Sequence, residues 1–257
     1  MRIEILPTPE DAALHVHDVL IHQLTSAPNS VLGLPTGGTP RRVYAALVAS
    51  FRAGKGDWRA ATTFNLDEYR GLGRGHPQSY ATYMRQELFD HVNCPAGSTH
   101  IPDGMAPDPA QEASHYEALI RSTGGIDLLL LGLGQNGHIG FNEPGSPHNS
   151  LTRLVELAPN TIARNARYFP VGMSPPTQAI TMGIGTILAA RRLILLVTGE
   201  AKAKALRASL HGPVGEAVPG SALQHHANVL VVADEAAASA LPERHALSKS
   251  AITARRQ

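Results

Sequence analysis

Asn136, His138 and Glu143 have the types and spacing to handle protons. They sit in and just beyond Gly132-Leu133-Gly134-Gln135-Asn136-Gly137, a turn that follows an almost unbroken apolar run from Ile126 to Leu131. A carboxylate hydrogen-bonded to one imidazole nitrogen fixes the tautomer and leaves the other nitrogen free to accept a proton, so His138 beside Glu143 suits acid/base work. A single loop histidine is more often structural, and the pair gains meaning only from what surrounds it.

Two other stretches carry polar chemistry next to apolar runs. Residues 30–34 lead directly into Pro35-Thr36-Gly37-Gly38-Thr39-Pro40, and a helical pattern follows at 43–51. Strand, glycine turn and helix N-terminus make an anion site, because glycine lets the backbone approach a phosphate and the first helical amides point at it. The plain alternative is a tight turn with no ligand. Residues 61–66 end in Asp67-Glu68-Tyr69, read either as a functional carboxylate or as a solvated loop, with spacing alone favouring the loop.

Several chemistries are disfavoured. Gly132 to Gly137 matches Gly-x-Gly-x-x-Gly, with Glu156 near the spacing of a ribose-binding acid, but Phe141-Asn142-Glu143-Pro144-Gly145 interrupts the helix a dinucleotide site needs. No Gly-x-x-x-x-Gly-Lys-Ser/Thr occurs. Cys94 is the single cysteine and no His-Glu-x-x-His appears, so neither a zinc site nor an intramolecular disulfide is expected. Lys plus Arg number 22 against 21 Asp plus Glu, which gives no electrostatic footprint for nucleic acid or an anionic membrane. The N-terminus lacks a signal peptide's apolar core and no window has membrane-spanning length, so a cytoplasmic protein is expected.

The elements that must position these groups are strands near 2–6, 30–34, 61–66, 126–131, 178–182, 192–197 and 229–233, with a short one near His100-Ile101. Helical patterns cover 9–23, 80–89, 108–122, 184–189, a segment carrying Lys202, and 235–241. Runs such as 126–131 fit strands buried on both faces of a parallel sheet. The fold class is therefore α/β, with an open, mainly parallel sheet flanked by helices. Residues 144–173, rich in Pro, Asn, Ser and Arg, read as a functional lid or a disordered loop, and the lid is placed around 145–175. One domain over 1–241 is expected rather than two small ones, followed by a basic tail over 242–257.

In order and wording, Leu34 to Pro40, Phe64-Asn65-Leu66-Asp67-Glu68-Tyr69, His76-Pro77-Gln78-Ser79-Tyr80, Gly137 to Pro144 and Ala166-Arg167-Tyr168-Phe169 closely resemble the glucosamine-6-phosphate deaminase family. The resemblance runs from the first strand to about Asp234. It implies a modified Rossmann-like fold and a cofactor-free aldose–ketose isomerisation that turns glucosamine 6-phosphate and water into fructose 6-phosphate and ammonia in amino-sugar catabolism. A hydrolase class goes with that expectation. By the same resemblance His138 opens the sugar ring with Glu143 orienting it, and Asp67 moves the C2 proton to C1. Thr36, Gly37, Gly38, Thr39, Arg167 and Lys202 would hold the phosphate, with Lys204 the solvated neighbour of Lys202.

Two positions depart from the family. Asn136 stands where many members carry aspartate; it can orient the imidazole or bind a sugar hydroxyl but cannot ionise. Arg153 matches a basic residue of members activated by N-acetylglucosamine 6-phosphate, but Val155 replaces an expected lysine, so the allosteric pattern is incomplete and the oligomeric state is left open. A lactonase acting on 6-phosphogluconolactone and a non-catalytic sugar-phosphate sensor are the rival readings.

Overall fold

The computed structural model describes residues 1–170 and 172–242. In chain order the elements are β1 (Arg2–Leu6), α1 (Pro9–Ser26), β2 (Val31–Leu34), α2 (Arg41–Arg52), β3 (Thr62–Asn65), β4 (Asp67–Tyr69), α3 (Tyr80–Glu87), β5 (Thr99–His100) and α4 (Pro109–Ser122). There follow β6 (Leu128–Gly132), β7 (Arg153–Glu156), α5 (Pro159–Asn165), β8 (Gln178–Thr181), α6 (Ile184–Leu188), β9 (Leu193–Val197), α7 (Ala203–His211), β10 (Val229–Asp234) and α8 (Glu235–Ala238).

Seven strands form one sheet in the order β1-β10-β9-β6-β2-β3-β5, and every pairing in it is parallel. The continuous apolar runs are explained by burial on both sides. In β6, Leu129 and Leu131 pack with Leu193 and Leu195 of β9 on one face, while Leu128 and Leu130 pack with Ile194 and Leu196 on the other, beneath α1 and α2. Each buried leucine contributes roughly 1.5–3 kcal/mol relative to exposure, so this alternation fixes the register firmly.

From β2 the chain builds outward through β3 to β5, and from β6 it builds the other way through β9 to β10. The order reverses between β2 and β6, and the carboxyl ends of these strands run into the Thr36 turn and the Gly134 turn. Open parallel sheets bind ligands at such a reversal.

The structure departs from the sequence reading in four places. Asp67, Glu68 and Tyr69 are not a solvated loop: they form β4, buried throughout, in a second, antiparallel sheet of order β4-β8-β7. Leu66 is where the chain leaves one sheet for the other, and its carbonyl accepts from the Met182 amide at the far end of β8. The described part of 144–173 holds regular structure, since β7 pairs with β8 over Arg153–Glu156 and α5 follows with Pro159 in its first turn. Lys202 ends a single 3₁₀ turn (Glu200–Lys202) that precedes α7 rather than riding on the helix, and α8 stops at Ala238, short of the expected 241. The basic tail expected over 242–257 lies, from residue 243, outside the described residues.

Candidate active site

A cleft of about 810 Å³ opens over the carboxyl ends of β2 and β6. Of the residues singled out in the sequence, it brings together Thr36, Gly37, Gly38, Thr39, Asp67, His138, Arg167 and Lys202 along its walls. Asn136 and Glu143 do not line it and stand behind His138.

One end of the cleft is the turn after β2. Gly37 takes φ 105°, a left-handed value open to glycine without strain. Two tyrosine hydroxyls hold the turn's carbonyls: Tyr44 donates to Pro35 O at 2.5 Å and Tyr83 to Gly37 O at 2.6 Å. Across the cleft, Lys202 donates Nζ to Thr39 Oγ1 at 3.1 Å. The Arg167 guanidinium lies 4.8 Å over the Tyr168 ring and donates to its hydroxyl at 2.7 Å. Two cations and the start of α2 thus converge on a turn shaped for an anion.

The acid pair of β4 divides its labour. Glu68 accepts from the amides of Tyr69 at 2.8 Å and of Tyr80 and Ala81 at 2.9 Å, so its carboxylate caps α3. Burial raises it to about 7 against the pull of those amides. Asp67 instead faces the cleft at 6% exposure, and burial first, the Glu68 charge second, pushes its carboxyl up to about 8. A carboxylate held dry and hard to ionise is a stronger base than a solvated one.

Beyond β6, the imidazole of His138 lies against Gly134, where a Cβ would collide with the ring. The Gly134 amide donates to His138 O at 2.9 Å and the Gly137 amide to Gly134 O at 3.1 Å, closing the turn. Nδ1 of His138 lies 3.4 Å from Oε2 of Glu143. At that length the contact is electrostatic attraction rather than an aligned hydrogen bond, and such contacts tighten on binding. Burial works to raise Glu143, but His138, Thr161 and Asn136 outweigh it and hold its carboxyl at about 2. Asn136 donates Nδ2 to Oε2 of Glu143 at 2.6 Å and accepts from the His138 amide at 3.3 Å. Its contacts are thus to the carboxylate and to the backbone of the turn.

Sequence reasoning missed Thr161, which donates to Oε1 of Glu143, and the pair Asn165 and Tyr69, joined at 2.7 Å. These are contacts between segments far apart along the chain, and the only local trace was the four-residue spacing of Thr161 and Asn165. Glu156, the acid weighed for a ribose, ends β7 away from the cleft with Gln178 on its carboxylate. Among the described residues no cluster of three His, Cys, Asp or Glu could hold a metal ion, and no helix is long and apolar enough to cross a membrane.

Residues 7–232 match the family described as glucosamine-6-phosphate isomerases/6-phosphogluconolactonase. A glucosamine-6-phosphate deaminase of Rhodopirellula baltica is 52% identical over 244 residues, which cover 95% of this chain and 97% of that one. One from Shewanella loihica is 49% identical, covering 95% and 91%. Among solved structures, a monomeric glucosamine-6-phosphate deaminase superposes with TM-score 0.91 at 42% identity, over 93% of this chain and 100% of the other. A 6-phosphogluconolactonase from Trypanosoma cruzi reaches TM-score 0.75 at 22% identity over 93% and 96%, which is a likeness of fold.

Proposed function

The chain belongs to the family of glucosamine-6-phosphate isomerases and 6-phosphogluconolactonases, and on that premise we propose that it deaminates glucosamine 6-phosphate, giving fructose 6-phosphate and ammonia in amino-sugar catabolism. The hydrolase class expected from the sequence is corrected: the family is described by its isomerases and the near relatives are named deaminases, so the activity is a deaminating isomerisation.

The observation that carries the reading is Asp67, a buried carboxylate on the wall of the cleft that also holds the anion turn and His138. Moving a hydrogen from C2 to C1 of an open-chain sugar needs one base with access to both carbons on one face, whereas lactone hydrolysis has no use for a base at C2. The phosphate would rest on the turn from Thr36 to Thr39, with Arg167 and Lys202 closing on it. His138, oriented by Glu143, would pass a proton to the ring oxygen as the ring opens. Asp67 would take the C2 proton and return it at C1, leaving an imine at C2. Water adds there and ammonia departs. Besides these proton transfers and the addition of water, two bonds break: the ring C1–O bond on opening and the C2–N bond as ammonia leaves. Residues 1–241 would act as one catalytic domain, in the cytoplasm.

Purified protein given glucosamine 6-phosphate, with no added metal or nucleotide, is expected to release ammonia and fructose 6-phosphate in equal amounts. Absence of ammonia in that assay would overturn the reading, and hydrolysis of 6-phosphogluconolactone instead would favour the lactonase branch of the family.

A further inference from the structure

α5 meets the site through two polar side chains one turn apart on the same face, Thr161 and Asn165. Asn165 donates Nδ2 to the Tyr69 hydroxyl at 2.7 Å, and Tyr69 closes β4, the strand that opens with Asp67. That hydroxyl also accepts from Tyr80 at 3.3 Å, and Tyr80 stacks on Phe141. The helix is thereby registered on the strand of the proposed base. One turn earlier, Thr161 donates to Oε1 of Glu143.

Glu143 has two oxygens and three polar neighbours. Oε2 accepts from Asn136 at 2.6 Å and stands 3.4 Å from His138 Nδ1. Asn136 and His138 belong to the same turn after β6, and both address that one oxygen. Held there alone, the carboxylate could pivot, because the last torsion of a glutamate side chain is soft. Among the described residues, the hydrogen bond to Oε1 comes from a different element, at Thr161.

We propose that Thr161 is a positioning residue for the acid/base pair: by fixing Oε1 of Glu143 it aims Oε2 at Nδ1 of His138, so that α5 must be seated before the histidine can open the ring. The proposal rests on the acid/base role given above to His138. It assigns Thr161 an effect through Glu143 rather than on the sugar, and it makes the seating of α5 on β4 part of turnover.

Thr161→Val keeps the size of the side chain and removes its donor, whereas Thr161→Ser keeps the donor. Loss of one hydrogen bond to an ionised partner is expected to lower kcat roughly tenfold in Thr161→Val, with KM changed by less than about twofold and Thr161→Ser close to wild type. Wild-type kcat in Thr161→Val, a change confined to KM, or an equal loss in both variants would overturn the proposal. A readout independent of turnover is the His138 Nδ1 nitrogen resonance in labelled protein. It should shift in Thr161→Val and return in Thr161→Ser; if it stays unmoved in Thr161→Val, the proposal fails. Absence of ammonia release by the wild type would instead count against the deaminase reading, and the resonance would still test the geometry.

Discussion

At neutral pH the Asp67 carboxyl, raised to about 8 by burial and then by Glu68, is mostly protonated in the free protein, and a protonated acid cannot take the C2 proton. The value of kcat/KM should therefore climb as pH rises toward about 8 and level off above it, which a pH profile of initial rates will read. Asp67→Asn should cost about 10²–10⁴ in kcat, the usual weight of a general base. Stability moves the opposite way. The unfolded group titrates near 3.8 and the folded one near 8, so between those values the unfolded chain binds fewer protons and stability falls as pH rises. The asparagine variant escapes this penalty. Its thermal midpoint should exceed wild type at about pH 8, by an amount on the order of a few kcal/mol in stability, and the gap should close toward pH 4; an unchanged gap would place the carboxyl in water. Most polar residues of the site were legible in the sequence, because Thr36 to Thr39, His138 and Glu143 follow apolar runs in turn-forming glycine stretches. The weight of Asp67 was not legible from spacing: beside Glu68, a solvated loop and a buried strand look alike until tertiary contacts decide.

At the scale of elements, Asp234 shows how a strand end can shape a distant site. Its carboxylate caps α8 through the Ala237 amide at 2.7 Å and accepts from the Gly199 amide at 3.0 Å, which fixes the turn leading to Lys202. Asp234→Ala should loosen that turn and leave the buried Ala237 amide and the half-buried Gly199 amide without their acceptor, costing about 1–3 kcal/mol in stability. Steady-state kinetics should show KM rising more than kcat falls, and a kcat loss with unchanged KM would contradict this link to the cation. Of the seven parallel strands, β2, β6, β9 and β10 were readable because they are apolar on both faces, whereas β1, β3 and β5 carry polar residues and read less plainly. Of the antiparallel sheet only β8 was readable, for two reasons. β4 has only three residues and follows β3 after a single leucine, while β7 (Arg153–Glu156) alternates half-buried and exposed positions in a stretch whose Pro and Asn content suggests a loop. The 3₁₀ turn at Pro219–His225 gave no periodic signal either.

Across the whole molecule, the two sheets meet where Leu66 hands the chain from one to the other, and the proposed base sits just past that seam with little open surface. A carboxylic acid so enclosed exchanges its hydrogen with bulk water slowly compared with one on a loop. Isotopes make the consequence measurable. With glucosamine 6-phosphate carrying deuterium at C2, in ordinary water, a sizeable share of the label should reappear at C1 of fructose 6-phosphate, as mass spectrometry of the product would show. Complete washout of the label would mean that solvent reaches Asp67 between the two halves of the transfer. On the proposed mechanism, the seam between the sheets would act as a short-lived store for a single hydrogen, lending the sugar back the atom it gave up.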